Sequence, residues 1–156
     1  MQIHSLGFDD FCEEEYSLIG IHTVLEDYKL AYLLNQHLKI SFKKADFNLD
    51  FENKKNNASF SIYKYINVKY DFDWFLISNS IKEEKATTSN GLPLFTETKT
   101  YLIPEKKNID FFIKISGDIE FACLTKTIQK IKEVNQVITS YQIDKNTLKS
   151  KDFLIF

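Results

Sequence analysis

A chain of 156 residues, 44% hydrophobic and 27% charged, has the size and balance of one globular domain with its own core. A formal charge of −2 supplies no general attraction to nucleic acid or anionic lipid. Four glycines, none clustered, exclude a phosphate-cradling glycine loop, while 14 Phe and 8 Tyr favour a sheet-rich fold with thick side-chain packing.

In chain order, residues 1–15 are polar and acidic and read as a solvated N-terminal arm. Tyr16 to His22 reads as a buried strand, and Gly20 inside it signals close backbone approach or a bulge. Thr23-Val24-Leu25-Glu26 has the pattern of a capping box, opening a helix that runs to His37 or Leu38. Leu25, Tyr28, Ala31, Tyr32, Leu34 and Leu38 form its apolar stripe. From Phe42 to Glu52, Phe47, Leu49 and Phe51 alternate with polar residues, the pattern of an antiparallel strand with one wet face. Residues 53–57 (NKKNN) form a turn.

Ser59 to Tyr65 and Val68 to Ile77 read as a hairpin turning near Asn67, with Val68, Tyr70, Phe72, Trp74 and Leu76 on one face. Residues 78–98 read as a long polar loop holding Ser89-Asn90-Gly91 and Pro93, mobile or functional, with Leu92, Leu94 and Phe95 apolar within it. Ser116-Gly117-Asp118 is a turn with Asp118 as helix N-cap, and Phe121, Leu124, Ile128 and Ile131 follow at helical spacing. Gln136 to Ile143 is a strand with Val137, Thr139, Tyr141 and Ile143 on one face. The tail, 144–156, holds one helical turn and ends Asp152-Phe153-Leu154-Ile155-Phe156, apolar enough to dock on its own domain or on a partner.

The stretch from Tyr101 to Ile115 organises the rest. Tyr101-Leu102-Ile103 reads as strand, and Pro104, which donates no backbone hydrogen bond, ends it. Glu105 and Asp110 then hold a bend, with Asp110 accepting from turn amides. Ile109, Phe111, Ile113 and Ile115 make the buried face of a strand whose other face carries Asp110, Phe112 and Lys114. The run Ile103-Pro104-Glu105, three residues, then Ile109-Asp110-Phe111 resembles the motif that names the bacterial IPExxxVDY family. Ile109 stands where that family has Val and Phe111 where it has Tyr. A phenol used in chemistry could not become Phe, so position 111 is a packing position. The resemblance implies an architecture and no particular activity.

The element order, β-α-β then strands and a loop then β-α-β, suggests an α+β domain spanning 1–156. Its two main helices would pack on one face of a mainly antiparallel sheet, in a ferredoxin-like arrangement with an inserted hairpin. His22, Glu26 and Asp27 are too few for a metal site, and no cofactor is expected. Nucleophile motifs are missing, so an enzyme is not expected; a cleft joining Glu105, Asp110 and His22 would revive that idea. Base stacking on Tyr63, Tyr65 and Phe112 lacks the basic-aromatic run it needs, and Lys39, Lys43 and Lys44 form only a small cluster.

Cys12 and Cys123 read as free thiols of a cytoplasmic protein, and no stretch reaches membrane-spanning length. The expectation is a non-enzymatic protein acting through contact with another protein or with its own copy, by Leu92, Leu94, Phe95, Phe153 and Phe156. The alternative is a small-molecule sensor domain with a pocket at Tyr101, Glu105 and Asp110.

Overall fold

The computed structural model describes residues 15–53, 56–154 and 156. The acidic arm therefore lies outside the described residues except for Glu15, as does Cys12.

Among the described residues the chain is mixed α+β, with two α-helices and mostly antiparallel sheets. The main sheet has the order β10 (Val137–Ile143), β1 (Tyr16–Thr23), β9 (Phe111–Ser116), β6 (Phe72–Ser78), β5 (Ile62–Asn67), β2 (Lys43–Lys44), every neighbouring pair antiparallel. Two ribbons stand beside it: β3 (Leu49–Asn53) with β4 (Asn56–Phe60), and β7 (Ser80–Ser89) with β8 (Leu92–Tyr101).

One face of the main sheet packs against α1 (Asp27–Leu38) and α2 (Phe121–Lys132), where Ile19, Ile21, Ile113 and Ile115 meet Leu30, Leu34, Leu124 and Ile131. The other face is covered by the bend at residues 102–109 and by the C-terminal segment, through Ile103, Ile109, Leu148 and Leu154. Antiparallel strands often leave one face wet, but here β9 is buried on both. Phe111, Ile113 and Ile115 face the helices as the alternation predicts. Ile109 does not join them. It precedes the strand and packs with Phe112 on the opposite face.

Gly20 is a close-approach site. A Cβ there would sit 2.7 Å from Ile143 Cδ1 and 2.8 Å from Ile109 Cδ1, so the bend and β10 press onto β1 through that gap.

Several local expectations are corrected. Thr23 belongs to β1, not to a capping box: its hydroxyl donates to the Gln136 carbonyl and accepts from the Leu25 amide, and Glu26 is the N-cap of α1. The buried stripe of α1 is Leu30, Ala31 and Leu34, leaving Tyr28 and Tyr32 exposed. The α2 N-cap is Glu120 rather than Asp118, and Phe121 is exposed. The segment 42–52 divides into β2 and β3. Val68 and Tyr70 stand exposed in the β5–β6 turn, while Phe72, Trp74 and Leu76 face the helices. A register shift between His22 and Thr23 splits the β10 face, so Val137 joins the helix-side cluster and Ile143 the opposite one.

The largest correction concerns 78–98. It is not a loop but most of a two-stranded hairpin of ten residues per strand. Asn90 (φ 54°) and Gly91 (φ 75°) form its two-residue turn; both occupy the left-handed region that such turns require and that Asn-Gly supplies.

Candidate functional site

Three features compete as the site: the bend around Pro104, a cleft beside it, and the hairpin β7–β8.

The bend is tied in three directions. Asn79, fully buried at the end of β6, is its hub. The Asn79 side-chain amide donates to the Lys106 and Ile109 carbonyls at 3.0 and 2.8 Å and accepts from the Ile103 amide at 2.8 Å. Its backbone adds bonds to Asp110 and Leu102. Pro104 opens a single 3₁₀ turn, Pro104–Lys106, where a missing N–H leaves no hydrogen bond unmade.

Glu105 reaches away from the core to the C-terminal segment, accepting from the Ser150 amide at 2.8 Å and its hydroxyl at 3.0 Å. Partial desolvation raises the pKa of this carboxyl, but the hydrogen bonds from Ser150 and neighbouring amides outweigh that and hold it below the ordinary carboxylate value. Asp110 points elsewhere. It accepts from His22 Nδ1 at 2.6 Å and from the Thr23 amide at 3.0 Å, fixing the end of β1. Glu105 and Asp110 thus bind two different neighbours, and Asp110 serves β1 rather than amides of its own turn. Ile103, Ile109 and Phe111 are core residues.

The cleft, about 590 Å³, is lined by Thr23, Asp27, Ser61, Ser78 and Asp110, with Lys82 and Lys99 on the hairpin side. Ser61 Oγ donates to Asp27 Oδ2 at 2.8 Å and lies 3.0 Å from Ser78 Oγ. Nearby, burial and then the charge of Asp27 raise the Tyr63 phenol above its ordinary value. Of the residues expected to line a sensor pocket only Asp110 is here; Tyr101 and Glu105 are not among the cleft's lining residues. His22 is bonded to Asp110, but Glu105 turns away to Ser150, so the three side chains do not gather in one cleft. Phe112 is fully buried, and Tyr63 and Tyr65 are half-buried against the helix-side core. Among the described residues no three His, Cys, Asp or Glu side chains gather as metal ligands would.

The hairpin is the exposed feature. Leu92, Leu94 and Phe95, near its far end, are 69%, 52% and 71% exposed. Ribbon partners point to the same side, so Phe95 with Ala86 lies on one face, and Leu94 with Thr87 and Leu92 with Ser89 lie on the other. The other two expected contact residues are not there. Phe156 packs into its own domain, edge-on to Phe75 at 4.9 Å and to Phe47 at 6.2 Å. Phe153 lies in the C-terminal 3₁₀ turn Lys151–Leu154 and is itself exposed, while the neighbouring Leu154 is fully buried.

Two residues that organise this region escape a reading of the sequence. Asn79 sits in Ser78-Asn79-Ser80, which has the composition of a turn. Lys114 holds a polar-face position in β9 yet is fully buried. Its ammonium donates to the Leu154 carbonyl at 2.7 Å and lies 4.6 to 5.9 Å from the ring centroids of Phe156, Tyr16 and Phe75. No helix among the described residues is long and apolar enough to cross a membrane. No protein-family model matches the chain, and neither a curated protein nor a solved structure matches it.

Proposed function

We propose that this is a non-enzymatic cytoplasmic protein that works by contact, with the β7–β8 hairpin as its docking arm on a rigid frame. The observation that carries the reading is the exposure of Leu92 and Leu94 on one face and Phe95 on the other at the end of a ribbon that pairs with no further strand among the described residues. A two-stranded ribbon is marginal alone in water, so a surface that covers it stabilises it. Monomeric proteins seldom leave such groups grouped and wet.

The motif from Ile103 to Phe111 fits this division of labour, since its side chains pack or brace neighbouring segments. The run Ile103-Pro104-Glu105 followed by Ile109-Asp110-Phe111 supports reading the chain as a relative of the IPExxxVDY family. The strand order β10-β1-β9-β6, in which α2 joins β9 to β10 across β1 and the chain after α1 passes through β2–β5 before reaching β6, supports a ferredoxin-like core with inserted strands. The exposed free thiol of Cys123 supports a reducing compartment.

The arm is tested by Leu94→Ser with Phe95→Ser, both at exposed positions. In native extract the wild-type chain is expected in an assembly heavier than its own 18.3 kDa. The double variant, with an unchanged circular dichroism spectrum, is expected as the single chain. A variant that keeps the wild-type assembly removes the arm's tip from the contact.

A further inference from the structure

We infer that the arm's partner is a second copy of this chain, laid antiparallel and face to face on the same face of the arm about a two-fold axis. The inference rests on the reading of the arm as a contact element. It comes from the order of the rungs on one face: Ser80 with Tyr101, Lys82 with Lys99, Glu84 with Glu97, Ala86 with Phe95, Thr88 with Pro93. A rung of two lysines followed by a rung of two glutamates is unfavourable within one ribbon, because like charges directly opposite repel. The diagonal ion pair Lys82–Glu97, at 3.3 Å, relieves only part of that, and both side chains remain mostly exposed.

A two-fold axis between these rungs changes the balance. The lysine rung of each copy then faces the glutamate rung of the other. Successive rungs are about 7 Å apart along a ribbon, so the next match is equally determined. Phe95 of each copy lands on Tyr101 of the other, an aromatic pair flanking the charges on both sides. The pattern is complementary to itself and to nothing simpler, as an isologous contact requires.

This face is free to receive a partner. Lys82, Glu84, Ala86, Phe95, Glu97 and Lys99 are all exposed, Lys82 and Lys99 at the rim of the cleft, whereas on the opposite face Ile81 packs against the core and Glu83 is half-buried. Tyr101 is half-buried, with Lys99 and Lys107 Nζ 5.2 and 5.8 Å from its ring centroid. One ribbon on another is a small contact, in the weak class below about 1,200 Å². Charge pairs then govern association and its salt dependence.

Sedimentation of the full chain tests this with two charge-swapped variants, Lys82→Glu with Lys99→Glu, and Glu84→Lys with Glu97→Lys. The wild type is expected to self-associate, more weakly in about 1 M salt. Each variant alone should lose about tenfold or more in affinity, because all its facing rungs then repel. An equimolar mixture should form a one-to-one complex at least as tight as the wild type, which a merely damaged arm could not do. Phe95→Ser should weaken self-association and Leu94→Ser, on the opposite face, should not. A wild type that stays monomeric, or a dimer indifferent to the swaps, overturns the inference. So does a mixture that fails to associate although both variants keep their strands. Should the swapped arms lose their strands, the wild-type salt series decides, and self-association that ignores salt counts against the inference. The broader reading of the arm fails separately, if the wild-type chain neither self-associates nor occurs in any heavier complex in native extract, or if the Leu94→Ser, Phe95→Ser variant keeps the wild-type assembly.

Discussion

Replacing Asn79 by Ala is expected to remove about 3–5 kcal/mol of folding stability, out of the roughly 5–15 kcal/mol a domain of this size has. The side chain makes three hydrogen bonds in the interior, and alanine leaves their partners behind. An unsatisfied buried group costs about 1–3 kcal/mol. The Ile103 amide and the Ile109 carbonyl lose the partner that Asn79 gave them, whereas the Lys106 carbonyl still accepts from the Ile109 amide. Asn79→Asp should be no milder, because a carboxylate keeps the Ile103 amide but confronts the two carbonyls. Denaturant unfolding followed by tryptophan fluorescence reads the loss, since the chain's single Trp, Trp74, lies on β6 with Asn79 at its end. A change below about 0.5 kcal/mol would show that Asn79 does not hold the bend.

The second large effect belongs to Lys114. Lys114→Ala removes a charge-assisted hydrogen bond, about 1.5–3 kcal/mol, together with a buried aliphatic stem. Relief of the buried charge offsets part of this, so a net loss of about 2–4 kcal/mol is expected. Lys114→Met keeps the stem and should lose about half as much. The loss should be local before it is global. Lys114 fastens the Leu154 carbonyl under β9, so limited proteolysis of the alanine variant should first cut after Asp144. An unaltered cleavage pattern and unaltered stability would mean that the tail is held without Lys114, by contacts such as those of Leu148, Leu154 and Phe156 and the Ser150–Glu105 hydrogen bonds.

What the residues announce in advance is local. Gly20 signals a close approach, Asn67 a hairpin turn through its carboxamide and the Lys69 amide, and the helical stripes place α1 and α2 to within a few residues. The apolar C-terminus docks on its own domain for the reason its composition gives. What is hidden is non-local. The partners of Asn79 lie 24 to 30 residues away, Lys114 meets Leu154 across 40, and His22 meets Asp110 across 88. Nothing within a strand's length of any of them marks the pairing. Lys114 looks like a wet-face residue because alternation shows where a side chain points and not what later covers it. The hairpin is missed for a related reason. Beyond Glu83 both its faces are exposed, so β7 carries no hydrophobic alternation, and only Asn90-Gly91 betrays the turn.

Native-state hydrogen exchange on the wild-type chain, in dilute solution, tests most directly whether the bend is frame and the hairpin is arm. The amides of Asn79, Leu102, Ile103 and Asp110 are bonded to Asp110, Asn79, Asn79 and Ile21. They should exchange only through global unfolding, while amides from Ala86 to Phe95 exchange far sooner. If the four bend amides exchange as fast as those of the hairpin, the bend is a moving part, and the division between frame and arm is wrong.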